Sequence, residues 1–362
     1  MTAKLQMLAL VTDAFGGSGG IAQYNRDFLG ALTESGAVSS LAILPRHAPD
    51  RSVVPPGIRQ SPARPGWINY ALAALLRRWD RVDVVFCGHL YMAPLAVLVA
   101  RQARAKLIVQ MHGIEAFECP TRLRRAAVEA ADLILCVSRY TRARVLSWAT
   151  IAPERIVVLP NTVGECFTPG DGSRLRTEWG LDGKRVLLSV GRMDSRERYK
   201  GHDLVIKAIP ELVANGHDVS YVILGGGDDQ PRLEALASQA GVAGRVRFMG
   251  SAGQDTLVDA YRTADLFVMP STGEGFGIVY LEAMASGSPA LGLAVAGALD
   301  ALADGELGMA VPEVEFAAAL THALDRPKPD PRALANAVRA RFGRDSFTKG
   351  ALAALDRVLE AA

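Results

Sequence analysis

Cysteine is scarce in this 362-residue chain, and Cys87, Cys119, Cys136 and Cys166 are spaced too irregularly for a disulfide framework or a zinc knuckle. They read as reduced thiols packed as small hydrophobes. Long apolar runs are missing too. The longest, Leu90 to Ala100, has 11 residues and ends at Arg101, short of the ~20 that a membrane-spanning helix needs. The opening Met1-Thr2-Ala3-Lys4 runs directly into Leu5 to Val11 without a cleavage site of small residues. A cytoplasmic protein is therefore expected. Aromatic residues are few, at 6%, and no recognised nucleic-acid-binding motif accompanies the arginines, so no nucleic-acid partner is expected. His47, His89, His202, His217 and His322 show no metal-ligand spacing, and no D-x-D pair sits where it could hold a divalent ion.

A net charge of +2 conceals an asymmetry: residues 1 to 160 hold 19 Lys+Arg against 11 Asp+Glu, and the remainder 21 against 27. The clusters Arg77-Arg78-Arg81, Arg122-Arg124-Arg125 and Arg139-Arg142-Arg144 suit either a solvated face or an anionic surface. Peripheral contact with the inner face of the cytoplasmic membrane is one expectation from them.

With 49% hydrophobic residues, the chain can fill two cores, and its length predicts two domains of roughly 150 to 180 residues. Short apolar runs at Leu5–Val11, Leu41–Leu44, Val82–Cys87, Lys106–Gln110, Leu133–Val137 and Ile156–Leu159 alternate with amphipathic stretches. A second series follows at Val186–Val190, Val219–Leu224, Val246–Met249, Leu266–Met269 and Pro289–Leu291. Alternation of this kind predicts an α/β chain of two Rossmann-like units in tandem. The turn-rich Cys166–Gly172 marks the junction, giving domains 1-168 and 169-345 and a final helix, 346-362, with Phe347, Leu352, Leu355 and Leu359 on one side.

The segment richest in chemistry is Pro270 to Gly287. A buried strand closes at Pro270, Gly273, Gly275 and Gly277 permit a sharp turn, and a helix opens near Ile278 with its unpaired N–H groups available to an anion. Backbone at Gly275, Phe276, Gly277 and Ile278 could then cradle a diphosphate. Glu274 can reach sugar hydroxyls, and Glu282, about one helical turn in, a ribose diol. The same residues serve equally well as a strand, a turn and a helix with a solvated glutamate.

Three other loops lie at strand ends. Gly16-Gly17-Ser18-Gly19-Gly20 is glycine-rich but not G-x-G-x-x-G, and the acidic residue a dinucleotide fold wants after the second strand is missing, which disfavours NAD. Gly191-Arg192 and Lys200-Gly201 place two cations where one anion could meet both. His112, in Gln110-Met111-His112-Gly113-Ile114-Glu115, falls just past another strand, where open sheets bind ligands.

The Pro270–Gly287 string resembles the E-x7-E signature of retaining glycosyltransferases with the GT-B fold, and more narrowly family 4. The resemblance spans the chain, strongly over residues 186 to 311. It implies two Rossmann-like domains facing each other across a cleft, with the last helix crossing back onto the first domain. It also implies Gly19 and Gly20 beside the donor, and Arg192 with Lys200 as the pair of a G-R-x-x-x-x-K-G motif that neutralises a departing diphosphate. The gap here is longer, so Arg198 competes with Lys200 for that role. By the same resemblance His112 and Glu274 act at the sugar, and Gly250 and Ser251 line the base pocket. Glu115, Ser138, Arg139 and Asn161 lie toward the acceptor. With two cations for the leaving group, no metal and no cofactor are expected.

The implied reaction is front-face transfer of a hexose with retention. Asp300 to Gly308 and the His112 segment look most like bacterial enzymes of exopolysaccharide or cell-surface glycan synthesis. Mannose from GDP-mannose is the first choice of donor, and a saccharide or lipid-diphosphate-linked sugar the acceptor. A UDP-hexose donor stays open. So does a non-catalytic or epimerase-type nucleotide-sugar-binding protein, although the acid–base set of an epimerase and the pyridoxal lysine of a phosphorylase are not seen.

Overall fold

Apolar runs without polar alternation belong to strands buried on both faces, and the computed structural model of the chain arranges them in two parallel sheets. It describes residues 5–47, 54–77, 79 and 81–360. Met1–Lys4 and Arg78, used above for localisation and charge, lie outside the described residues.

The first unit comprises residues 1–162 and 344–362. Strands β1 (Leu5–Val11), β2 (Val38–Pro45), β3 (Ile58–Gln60), β4 (Val84–Cys87), β5 (Lys106–Met111), β6 (Leu133–Cys136) and β7 (Ile156–Val158) are ordered β3-β2-β1-β4-β5-β6-β7, every pair parallel. Between them run α1 (Gly20–Glu34), α2 (Trp67–Leu75), α3 (Ala93–Ala103), α4 (Arg122–Glu129) and α5 (Arg139–Trp148). One face of the sheet buries Leu8, Leu10, Val85 and Val109 against Ala96, Val99, Val128 and Trp148. On the other, Phe28 of α1 stacks on Phe86 with ring centroids 4.8 Å apart. Each fully buried side chain of this size contributes about 1.5–3 kcal/mol.

The second unit is residues 163–343. Its strands β8 (Arg185–Val190), β9 (Val219–Leu224), β10 (Val246–Phe248), β11 (Leu266–Met269), β12 (Ala290–Leu293) and β13 (Met309–Val311) are ordered β10-β9-β8-β11-β12-β13, again all parallel. Its helices are α6 (Ser173–Glu178), α7 (His202–Ala214), α8 (Gln230–Gln239), α9 (Gln254–Thr263), α10 (Ile278–Ala285), α11 (Ala298–Ala301), α12 (Phe316–Asp325) and α13 (Pro331–Phe342). The last helix, α14 (Arg344–Glu360), belongs to the first unit. Its Phe347 ring meets Tyr24 of α1 at 5.7 Å, and Arg344 ties to Glu34 at 2.6 Å. The buried stripe is Phe347, Ala351, Ala354, Leu355 and Val358; Leu359, expected on that side, is exposed.

The turn-rich Cys166–Gly172 sits inside the second unit rather than between units. Phe167 is buried with its ring 5.8 Å from Tyr261, Arg262 Nε donates to the Thr168 carbonyl at 2.9 Å, and a Cβ on Gly172 would strike Thr263 backbone at 2.6 Å. The division falls at Thr162/Val163, where the Val163 N–H bonds the Phe342 carbonyl at 2.9 Å. Among the cysteines only Cys87 and Cys136 are buried. Cys119 and Cys166 are exposed, which corrects the expectation that all four pack as hydrophobes.

Both sheets change winding direction once, between β1 and β4 and between β8 and β11. Ligands in open α/β sheets bind at the carboxyl ends flanking such a point. The loops so placed are Gly16–Gly20 and Gly88–His89 in the first unit, and Gly191–Lys200 and Pro270–Gly277 in the second.

Candidate active site

In the second unit, β8 ends at Val190, and the chain turns through Gly191 and Arg192 toward the 3₁₀ turn Arg198–Lys200. Backbone packing here demands glycine. A Cβ on Gly225 would lie 2.0 Å from the Gly191 oxygen, and one on Gly227 closer still to the Met193 oxygen. Gly225–Gly227 therefore buttresses the Arg192 loop. Gly250 accepts from the Gly225 N–H at 2.8 Å and adopts φ +66°, and Ser251 beside it is exposed.

The two candidate cations share one carboxylate. Glu197 pairs with the Arg192 guanidinium through Oε1, and its Oε2 lies 3.1 Å from Lys200 Nζ. Arg192 is largely exposed, whereas Lys200 and Glu197 are mostly covered. Arg198 is engaged elsewhere: its Nε donates to the buried Asp229 at 2.9 Å, and Arg232 holds the same carboxylate at 2.6 Å. Asp228 and Asp229 thus act as local anchors, Asp228 accepting from the Ser195 N–H and hydroxyl at 2.7 Å.

The loop after β11 presents Glu274 beside this pair. Burial raises the Glu274 pKa above the ordinary carboxylate value, with the Lys200 charge opposing the rise. Gly277 takes φ +93°, and a Cβ there would meet the Tyr280 ring at 2.7 Å, so only glycine turns the chain into α10. The first N–H groups of α10 have no partner within the helix, as at any helix start. Phe276 points inward, its ring 5.8 Å from Phe342, so only its backbone can serve a ligand. Gly297 was not legible as part of this loop. Its N–H bonds the Glu274 carbonyl at 3.0 Å, and a Cβ there would stand 2.0 Å from the Gly275 oxygen. Glu282 of α10 accepts from the Tyr261 hydroxyl at 2.8 Å, and burial pushes its pKa up to about 7.

In the first unit, His112 follows β5. Its Nε2 lies 2.9 Å from the Gly88 carbonyl oxygen, and its ring is edge-on to Tyr24 at 5.4 Å. A carbonyl can only accept, so Nε2 carries the hydrogen and Nδ1 keeps its lone pair. Burial lowers the His112 pKa, with Glu115 opposing, which keeps the ring neutral at pH 7. Glu115 accepts from the His112 backbone N–H at 2.5 Å. That bond commits one of its oxygens to shaping the turn.

Gly19 adopts φ +87°, with open space where side chains at Gly19 and Gly20 would project. Arg26 of α1, which no motif singled out, pins this loop by donating from Nη1 to the Ala14 and Gly17 carbonyls at 2.8 and 2.7 Å. Ser138 is wholly buried and caps α5, its Oγ accepting from the Thr141 N–H at 3.1 Å and bonding the Thr141 hydroxyl at 2.9 Å. Both contacts are local to the start of α5, and the residue exposes no surface to an acceptor. Arg139 is exposed in the next position, and Asn161 is buried just past β7. The expected residues therefore form two groups, one in each unit: His112 with Glu115, and Arg192, Lys200 and Glu274, while Glu282 lies further along α10 in the second unit with Tyr261 as its partner.

Residues 173–341 match the family described as Glycosyl transferases group 1, and residues 18–164 match Glycosyltransferase Family 4. A D-inositol 3-phosphate glycosyltransferase of Catenulispora acidiphila is 30% identical over 293 residues, covering 74% of this chain and 69% of that one. The chain belongs to the family 4 glycosyltransferases. This glycosyltransferase is also 34% identical over 256 residues to a GDP-mannose-dependent alpha-(1-6)-phosphatidylinositol monomannoside mannosyltransferase of Mycolicibacterium smegmatis. That match spans 66% of each chain. In fold it is similar to HepE of Anabaena, solved with UDP and glucose, with a TM-score of 0.80 at 17% identity over 97% of this chain and 99% of that one. The fold class is accordingly GT-B. Among the described residues no three His, Cys, Asp or Glu side chains cluster as a metal site, and no helix is long and apolar enough to cross a membrane.

Proposed function

We propose that this glycosyltransferase moves a hexose, mannose from GDP-mannose being the first choice, onto a saccharide or lipid-diphosphate-linked acceptor, with retention and without a metal. The observation that carries the reading is the capture of one carboxylate by both Arg192 and Lys200 beside Glu274. A pair of cations that converges on two carboxylate oxygens is matched to a diphosphate. Two positive charges in a partly covered site stabilise the leaving group as the glycosidic bond breaks, which is the service a divalent ion would otherwise supply. Lys200 rather than Arg198 is the second cation, because Asp229 already holds Arg198.

Glu274 orients sugar hydroxyls, Glu282 receives the ribose diol, and backbone N–H groups at Gly275–Ile278 with Gly250 and Ser251 hold the rest of the nucleotide. His112 accepts a sugar hydroxyl at Nδ1, its orientation fixed by the Gly88 carbonyl. Retention follows if the acceptor hydroxyl attacks the face the diphosphate leaves and passes its proton to the departing oxygen. The mannosyltransferase relative supports GDP-mannose as the donor. The excess of basic residues in the first 160 positions suits contact with an anionic membrane.

A thermal-shift panel with GDP, UDP, GDP-mannose and UDP-hexoses, with and without magnesium, tests this reading. Stabilisation by the guanine series alone, unchanged by magnesium, is expected. Stabilisation by the uracil series would reassign the donor, and dependence on magnesium would overturn the metal-free mechanism.

A further inference from the structure

Outside the groups above, the first unit carries a cavity of about 710 Å³ between α2, α3 and α4, within the range of small-molecule sites. Its wall is hydrocarbon: Tyr70, Leu75, Met92, Leu95, Val97 and Ala127. At its rim stand Trp67, Tyr91, Leu98 and Leu123, between 52% and 70% exposed. So many large apolar side chains turned to solvent around one opening mark an interaction site rather than scattered surface.

The charged groups that line the same opening are all of one sign. Arg46, Arg101 and Arg124 line it, and among the described residues no carboxylate does. The Arg124 guanidinium lies over the Tyr91 ring at 4.4 Å, while its neighbour Arg125, pointing elsewhere, is paired with Glu129 at 2.8 Å. Arg46 Nε is buried with no hydrogen-bond partner among the described residues. A buried cationic donor lacking an acceptor is costly unless an anion meets it.

We infer that the α2–α3–α4 cavity receives a hydrocarbon chain of an anionic membrane lipid, with Arg46, Arg101 and Arg124 meeting its phosphate. The charge pattern selects this occupant: an apolar interior suits the chain, three arginines at the mouth suit a phosphate, and an exposed tryptophan suits the boundary between headgroup and acyl region. The inference goes beyond electrostatic contact with a surface, because it places one chain inside the protein. It also stands independently of glycosyl transfer.

The test uses the full chain with vesicles of phosphatidylcholine alone and vesicles half phosphatidylglycerol, read by co-sedimentation. Binding to the anionic vesicles only is expected. It should weaken at least tenfold with Trp67→Ser, with Ala71→Phe, which fills the cavity, and with the pair Arg101→Ala and Arg124→Ala. A thermal shift with short-chain dihexanoyl-phosphatidylglycerol, but not with glycerophosphate, should show that the chain is held as well as the headgroup. Each variant should keep the wild-type thermal shift with nucleotide, which reports folding and separates a failure here from a failure of the transferase reading. Three results would each overturn the inference: no vesicle binding, binding removed wholly by salt and untouched by Ala71→Phe, or equal shifts with glycerophosphate and the short-chain lipid.

Discussion

Replacing Glu197 with glutamine should tighten the binding of a nucleoside diphosphate. Glu197 holds Arg192 and Lys200 together, and a diphosphate must displace its carboxylate before it can use either cation. At 3.1 Å and an effective dielectric near 20, the gross attraction between Lys200 and Glu197 is about 5 kcal/mol. Most of it does not appear as net energy: Arg192 is largely exposed, solvent competes for both cations, and glutamine still offers an amide oxygen. A net gain of about 1–2 kcal/mol remains, which is roughly 5- to 30-fold in Kd. Calorimetric titration of GDP and UDP into the wild type, Glu197→Gln and Glu197→Asp measures it directly. Glu197→Asp, which keeps the charge, should not tighten binding. The same displacement requires kcat to fall in Glu197→Gln wherever diphosphate release limits turnover. An unchanged or weaker Kd in Glu197→Gln would refute it, and would recast Glu197 as the residue that positions the two cations.

Glu274→Ala, His112→Ala and Arg192→Ala should each lower turnover at least tenfold in protein that melts normally; near-normal turnover removes that residue from the site. Glu282, with a folded pKa of about 7 against an ordinary value of 4.5, favours its protonated form on folding, so its contribution to stability is full below pH 4.5 and is lost as pH rises through 7. Glu282→Gln should therefore raise the melting temperature by a few degrees at pH 8, on the order of 1 kcal/mol after screening, and leave it unchanged at pH 4. Gly297→Ala, whose Cβ would collide with the Gly275 oxygen, should displace the Glu274 loop and weaken nucleotide binding at least tenfold by titration. Ser138→Ala should cost about 1 kcal/mol of stability through loss of the α5 cap, while turnover per folded molecule stays within twofold.

The central strands were legible because each is a run of branched apolar residues that no helix period explains. Edge strands β3 and β13 escaped: Ile58-Arg59-Gln60 and Met309-Ala310-Val311 are short, half-covered and of mixed polarity, and only pairing with β2 and β12 makes them strands. In the site, Glu274, Glu282 and Arg192 stood out because glycine and strand ends surround them. Glu197, Arg26 and Gly297 did not: Arg26 and Gly297 act through contacts with loops that periodicity cannot bring near, and Glu197 through a turn of its own loop that periodicity does not describe. The extended gap before Lys200 was visible as a departure from the motif, yet only the fold shows that it delivers the carboxylate that the two cations share. The same limit explains Ser138. Ser-x-x-Thr reads as a motif residue or a helix cap, and the Thr141 contacts make it the cap.

The placement of α14 has a consequence for how the protein is made. The second unit is one continuous stretch, 163–343, but the first is closed by residues 344–360, the last described part of the chain. During synthesis, the unit that begins first therefore finishes last. Until α14 emerges, Tyr24 lacks the Phe347 ring, and Asp27 and Glu34 lack Arg344. A fragment ending at Gly343 should leave α1 with an uncovered apolar strip, whereas residues 163–343, one compact and continuous unit, should fold when expressed alone.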